Sequence, residues 1–597
     1  MVPTDVASWR ALVDKELAGA PFEKLVYTTA EGIALQPLYT EWSGDAGVPG
    51  AAPFVRGTTA AGDAHPARVC TRVDGAKAIA DDVEGGADVL WLDVASGSAP
   101  DAARAATFDA TLAAAARTNR ELLVETDRSP ADAVAAVCAA AGAHALVVAN
   151  DPVTRAARGR LAVDRIAAEL DAIARCDAPA GLRHARVSSV PFHDAGADAA
   201  DELALLLSSG VAVLRAFDAA GRTVIAANAA LAMQVAVGRD TFGEICKLRA
   251  LRACWHRILA ASLAPASAPP PVHAVCSARA QSQRDPWVNM LRTTTQVFAA
   301  MIGGAEWVTP AAFDEPLSAQ SALGRRVARN TALVLRDESH LGRVVDAAGG
   351  SYYIEARTDA LAREAWSRFQ AIEKEGGVVA LLAAGALHTR LAASWNTRAG
   401  ALARRKEPVL GVSEFANLDE KLPAAPETET ETETETETET GTGSASASAS
   451  ASASASASAS ASAARALPRH RDAEGFEALR ARVEAGPARD VALVALGPPA
   501  EHRGRTGYSA ALFGTAGLRT REVTAPAAAD IAVICGSDER YATEAADTAR
   551  ALRAAGARKI LLAGRPGALE QELRAAGVDA FIFVGADVLT TLTELVS

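Results

Sequence analysis

Between Glu427 and Thr440 the sequence alternates Glu and Thr, and between Ser444 and Ala463 it alternates Ser and Ala. Alternation is the period of a strand, yet neither face carries a large apolar residue to bury. Polar tracts of low complexity cannot offset the entropy of ordering a chain, so the stretch reads as a disordered linker. Roughly 40 residues of such chain span about 35 Å root-mean-square. The linker divides a large N-terminal region from a smaller C-terminal one and lets them sit apart. With 597 residues there is room for about three to four domains, or fewer if one is a large barrel.

The N-terminal region alternates short apolar runs with helical stretches. Strand candidates are 87–94, 121–125, 144–149, 185–190 and 211–215. Helical segments rich in Ala, Leu, Arg and Glu fill 100–118, 130–142 and 198–209. Strands that alternate with helices imply parallel pairing through right-handed crossovers. About 400 residues of this pattern suit a (β/α)8 TIM barrel with extensions, with an open doubly wound sheet as the alternative. Past the linker, strand candidates at 490–496, 519–523, 531–535, 559–563 and 580–584 are spaced by helices such as 541–555 and 568–576. Five such units read as a flavodoxin-like domain, whose ligands sit at the carboxyl ends of the strands. The fold class is therefore α/β. The expected units are an N-terminal extension at 1–45, a barrel at 46–424, the linker at 425–465 and the C-terminal domain at 466–597.

A net charge of −12 and the lack of a basic stripe argue against nucleic acid as a partner. The N-terminus lacks a signal-peptide core and no later run resembles a membrane span, so a cytoplasmic chain is expected. The seven cysteines (70, 138, 176, 246, 254, 276 and 535) form no C-x-x-C pair, so reduced, mostly buried thiols are expected and a zinc site is not.

Several strings then resemble the methylmalonyl-CoA mutase family. Thr29-Ala30-Glu31-Gly32-Ile33, Pro37-Leu38-Tyr39-Thr40 and Pro53-Phe54-Val55-Arg56-Gly57 are similar to its lead-in to the barrel. Phe242 to Ala250 resembles a barrel helix. The densest block runs from Arg284-Asp285-Pro286-Trp287 through Arg326-Val327-Ala328-Arg329-Asn330-Thr331 to Gly349-Gly350-Ser351-Tyr352-Tyr353-Ile354-Glu355. The resemblance implies a TIM barrel that threads coenzyme A through its axis and a C-terminal domain that holds adenosylcobalamin. It implies radical interconversion of succinyl-CoA and methylmalonyl-CoA, in which the cofactor carries the chemistry.

The chemical positions of that family do not match. Its cobalamin signature is Asp-x-His-x-x-Gly. Here the turn reads Gly497-Pro498-Pro499-Ala500-Glu501-His502-Arg503-Gly504, with Pro499 at the Asp position and Glu501 at the His position. His502 is one residue out of frame and reads as an exposed loop side chain. Arg565 and Pro566 in Ala563-Gly564-Arg565-Pro566-Gly567 would crowd the backbone approach that glycine permits. In the barrel, His65 to Arg72 retains only the proline of the family's Arg-Pro string, with Arg72 where a Tyr is expected. Val190-Pro191 stand at the family's Tyr-His positions. His193 lies two residues away, a shift that keeps it inward if the segment is a strand; the competing role is structural. The string Cys276-Ser277-Ala278-Arg279-Ala280 is worn as well. Arg292, Asn330, Asp346, Tyr352 and Tyr353 match the family and read as core framework, with a substrate-side role as the alternative.

This pattern resembles the family's small, non-catalytic subunit, so no residue is assigned as catalytic, cofactor-binding or metal-ligating. The resemblance implies that adenosylcobalamin is held by the partner, a catalytic large subunit forming a heterodimer with this chain. Two other readings stand beside it. One is an acyl-CoA mutase active in its own right with shifted ligands. The other is a chaperone-docking or regulatory subunit that uses a mobile C-terminal domain as a tether.

Overall fold

The computed structural model describes residues 5–60, 66–73, 75–93, 101–317, 321–420 and 466–596. The expected linker at 425–465 lies outside the described residues. The chain opens with a helix, Val6–Leu17, capped by Asp5, whose carboxylate accepts from Ser8 N–H at 2.7 Å. No residue of that helix is buried. A small antiparallel pair follows, β1 (Tyr27–Thr28) and β2 (Ala34–Leu35).

Eight parallel strands come next: β3 (Arg68–Val73), β4 (Val89–Asp93), β5 (Glu121–Glu125), β6 (Ala145–Val148), β7 (Ala185–Ser188), β8 (Leu231–Val237), β9 (Val272–Cys276) and β10 (Trp307–Thr309). Chain neighbours pair in sequence, β10 returns to β3, and a bridge between Val147 and Arg183 joins β6 to the start of β7. The sheet is thus a nearly closed (β/α)8 barrel. Outward residues such as Val69, Leu90, Leu122, Val187, Met233 and Val308 pack against the helices. Cys70, Trp91, Leu123, Val147, Ala232 and Trp307 alternate with them and pack inside.

Several helices start where a side chain satisfies a free N–H group. Ser129, Asp198 and Asp240 cap the helices Pro130–Ala141, Ala199–Ala219 and Thr241–Ala261 by accepting from the third residue on. The expected strand at 211–215 is not one. It lies inside the helix Ala199–Ala219, which continues the stretch read as ending at 209. Leu203, Leu207, Gly210, Val213, Leu214 and Phe217 recur at three- and four-residue steps and are buried together. A five-residue apolar run does not distinguish the two periods by itself. Among the described residues no single helix is long and apolar enough to cross a membrane. The seven cysteines are free, and all but Cys138 are buried.

The C-terminal sheet is parallel throughout, with β11 (Val491–Ala495), β12 (Thr520–Val523), β13 (Ile531–Cys535), β14 (Lys559–Ala563) and β15 (Ala580–Ile582) in the order β12-β11-β13-β14-β15. That is the flavodoxin-like order, which places its crevice between the ends of β11 and β13. This unit does not sit apart from the barrel. Trp395, Leu402, Val409 and Val412 share one hydrophobic core with Phe476, Leu479, Phe513 and Leu592. His470 stacks on Trp395 at 4.2 Å between ring centres. Asp472 accepts two hydrogen bonds from Arg398, at 2.7 and 2.6 Å, and pairs with Arg239 at 3.2 Å. These contacts remove the physical basis of the mobile-tether reading, because the segment just past the linker carries apolar and charged anchors of its own.

Candidate functional site

Two places could hold a ligand in such a fold: the barrel interior with its C-terminal mouth, and the crevice of the C-terminal sheet. The barrel interior is filled. Arg186, on β7, donates to Glu125 Oε2 on β5 at 2.7 Å. Between adjacent strands, Ser188 Oγ donates to Gln234 at 2.8 Å, and His273 Nε2 lies 2.8 Å from Thr309 Oγ1. The rings of Trp91 and His273 meet edge to face at 5.2 Å, and Trp307 lies in the same interior cluster. Burial pushes the His273 imidazole down to about 3, so it is neutral. Burial would raise the Glu125 carboxyl, but the Arg186 guanidinium overrides this and holds it at about 2. Glu125 and Arg186 are thus a fully ionised pair plugging the axis.

Above this plug lies a cavity of about 340 Å³. Its wall includes Arg72, Arg158, Arg160, Arg325 and Ser277, and the post-linker residues Ala466, Leu467 and Arg469 close part of it. Arg72 pairs with Asp93 at 2.7 Å, and its guanidinium stands 5.5 Å from the Trp91 ring centre. A second cavity, of about 1070 Å³, shares Ser277 with the first and reaches His193, Glu202, Arg239 and Tyr353.

His193 is not on a strand. β7 ends at Ser188, and Val190–Asp194 is a short helix in which His193 is buried. Its ring meets Glu202 and Ser277, with Lys247 Nζ on the far oxygen of Glu202 at 3.0 Å. The alternating-face argument therefore fails, although the side chain does point inward.

The other family-matched residues separate. Asp346 pairs with Arg56 at 2.8 Å and with Arg249, whose second nitrogen donates to Glu355 at 2.6 Å. Arg292 donates to Ser282 Oγ, Asn289 Oδ1 and the Leu410 carbonyl, at 2.7, 2.6 and 2.6 Å. Tyr353 packs on Tyr39 and accepts from Arg357 at 2.8 Å, whereas Tyr352 is 49% exposed. Asn330 is exposed on the helix Ala322–Leu333, so it is not a core position. Its helix turns that face outward while Ala328 and Arg329 face in.

The C-terminal crevice is also occupied by side chains. The segment read as a turn is mostly helix, Pro499–Thr515. His502 lies in its first turns and is buried, not exposed, with no hydrogen-bond partner at Nδ1. Glu501 accepts from Arg540 Nε at 2.8 Å. Gly497 has φ of +75°, and a Cβ there would lie 2.7 Å from Glu501 Oε2. Tyr541 OH donates to the Ala563 carbonyl at 2.7 Å and accepts from Gly536 N–H at 3.0 Å. Arg505 covers the Tyr541 ring at 4.6 Å. A Cβ added at Gly564 would lie 3.1 Å from Tyr541 and 3.2 Å from Arg505. Arg505 and Tyr541, not Arg565, therefore crowd this glycine; Arg565 lies over Phe583 at 5.1 Å. Nothing in residues 535–567 flagged Arg505, which arrives from a different helix.

The methylmalonyl-CoA mutase family profile matches residues 164–489. The methylmalonyl-CoA mutase small subunit of Streptomyces virginiae is 36% identical over 98% of this chain and 95% of its own length. The small subunit of Propionibacterium freudenreichii subsp. shermanii is 30% identical over 98% and 93%. This chain belongs to the methylmalonyl-CoA mutase family. Within it, the chain groups with the small subunits, since a protein named as a probable one from Mycobacterium tuberculosis is also 34% identical over 98% of the chain. The barrel of this family member keeps the architecture, and its axis is closed by the Arg186–Glu125 pair and two tryptophans.

Proposed function

We propose that this chain is the non-catalytic small subunit of an adenosylcobalamin-dependent methylmalonyl-CoA mutase of the cytoplasm, in a heterodimer with a catalytic large subunit. The partner holds the cofactor and the acyl-CoA substrate, and the complex interconverts succinyl-CoA and methylmalonyl-CoA. The observation that supports this reading best is the packed barrel axis, where Trp91, Trp307 and the buried Arg186–Glu125 pair occupy the interior that a pantetheine arm would have to enter. The crevice agrees with it. The residues there do not fit cobalamin, because Glu501 is engaged by Arg540 where a ligand histidine would stand. This reading takes the units as an N-terminal segment at 1–45, a barrel at 46–424, a linker at 425–465 and a C-terminal domain at 466–597. The exposed helix Val6–Leu17 and the 1–45 segment around it would contact the large subunit.

The test is to purify this chain alone and together with a large subunit from the same genome. The pair should bind adenosylcobalamin and turn over, and the single chain should do neither. A corrinoid spectrum retained by the single chain at submicromolar cofactor would establish the alternative, an acyl-CoA mutase with shifted ligands. Isolation of this chain as a stable, active monomer would do the same.

A further inference from the structure

Ser277, His193 and Glu202 come from three elements: the turn after β9, the short helix Val190–Asp194 and the helix Ala199–Ala219. They meet in one chain of contacts. His193 Nε2 lies 2.6 Å from Ser277 Oγ, and His193 Nδ1 lies 2.5 Å from Glu202 Oε1. The three residues are only 3%, 1% and 2% exposed. Arg279 donates to the carbonyls of His193 and Ala197, at 2.6 and 2.9 Å, and so fixes the turn that carries the imidazole. Ser277 Oγ also accepts a longer bond from Ala280 N–H at 3.3 Å.

A carboxylate on Nδ1 selects the tautomer that leaves the Nε2 lone pair facing the serine hydroxyl. Burial, with Arg279 next, holds the imidazole below its ordinary value, so it is unprotonated at neutral pH and free to accept a proton. The serine is not sealed off. It stands in the wall of the 340 Å³ mouth cavity beside Ala278. The backbone N–H of Ala278 has no acceptor among the described residues. In the same wall, Arg160 and Arg325 make no ion pair within 4 Å among the described residues, though Arg325 acts on Asp82 and Arg160 on Asp93 at longer range, and Asp194 and Glu315 also line the cavity.

We propose that Ser277 is a nucleophile, activated by His193 and oriented through Glu202, and that the barrel mouth hydrolyses small esters or thioesters of acidic acyl groups. Ser277 Oγ bonds to the acyl carbon as its proton passes to His193 Nε2. The bond from that carbon to the leaving oxygen or sulfur then breaks, and the leaving atom takes the proton from His193. Water attacks the resulting serine ester, gives one proton to His193, and the acyl–Oγ bond breaks. Ser277 regains its proton and the free acid departs. Glu202 stays ionised throughout and stabilises the transient imidazolium. Arg160 and Arg325 supply charge for the acyl carboxylate. The activity requires neither cobalamin nor the partner subunit, so it stands apart from the subunit role.

The experiment treats the full-length chain with diisopropyl fluorophosphate at neutral pH and maps the adduct by peptide mass spectrometry. A single adduct on Ser277 is expected, absent in Ser277→Ala. The labelling rate should fall by about 100-fold or more in His193→Gln and in the isosteric Glu202→Gln. Near-ultraviolet circular dichroism checks each fold, and the Glu202 variant serves if the His193 variant does not fold. A folded wild-type chain that stays unlabelled, or an adduct on another residue, overturns the proposal. So does labelling at the wild-type rate in either folded variant.

Discussion

Replacing Arg186 with Met is the most direct way to ask whether the barrel axis is held by charge. The substitution keeps much of the side-chain length but takes the nearest guanidinium from both Glu125 and Asp151, leaving Glu125 only the longer pair with Arg158 at 3.5 Å. Arg186 is 1% exposed at its side chain, Glu125 is 5%, and the pair is 2.7 Å apart. Breaking one partner out of such a pair typically costs about 3–5 kcal/mol, because a buried charge is left uncompensated. The titration argues for the same size. Holding a carboxyl at about 2 in place of its ordinary 4.5 is worth about 3 kcal/mol of folding free energy, with Arg186 the largest favourable contributor and Arg158 and Arg160 behind it. Because the folded value is depressed, that stability is present above pH 4.5 and is lost as the pH falls toward 2. The assay is urea unfolding at pH 7 of the wild type, Arg186→Met, Glu125→Gln and the double variant. The single Arg186 variant should lose about 3 kcal/mol or more, and the double variant should recover much of it. A loss below about 1 kcal/mol for Arg186→Met, or strictly additive losses, would refute the reasoning.

Other outcomes follow from the docked C-terminal unit and its crevice. Asp472→Asn strips the charge that Arg398 and Arg239 share, so it should cost about 3 kcal/mol or more and expose the chain near residue 472 to limited proteolysis. Although burial alone would raise the Asp472 carboxyl, Arg398 holds it well below the ordinary 3.8. The wild-type clamp should therefore persist at pH 4 and open only in stronger acid, as followed by the same digestion. Gly497→Ala places a methyl group against Glu501 and Arg540 at positive φ, and should lower stability by about 1–3 kcal/mol in a thermal scan. Glu501→His should not confer a corrinoid spectrum, because Arg505 and Tyr541 still fill the space beside Gly564.

Much of the architecture was legible because its periods are local. The runs at 121–125, 531–535 and 559–563 are strands at those limits. The segment 211–215 was not, since Val, Ala and Leu in a short run satisfy either period and only the buried stripe from Leu203 to Phe217 decides. Asn330 failed for a related reason, as a family match says nothing of which way a helix turns its residue. The inward position of His193 was anticipated, but for a reason that the short helix removes. Its partner Ser277 is 84 positions away, a separation that no spacing rule reports. The docking of the two units escaped because the Glu-Thr and Ser-Ala tract says nothing about what its flanks touch. His470 and Asp472 look like ordinary polar residues until Trp395 and Arg398 are beside them.

The shared core has a consequence for what the gene can discard. Trp395, Leu402, Val409 and Val412 belong to the polypeptide before the repeats, yet the surface that shields them from water is encoded after them. Each large apolar side chain so covered is worth about 1.5–3 kcal/mol. A truncation in the repetitive tract would therefore leave the barrel half with a sticky, uncovered flank. The second half is thus kept by the solubility of the first, whether or not it ever meets a ligand, and a frameshift in the repeats should yield aggregated protein in place of a shorter working one.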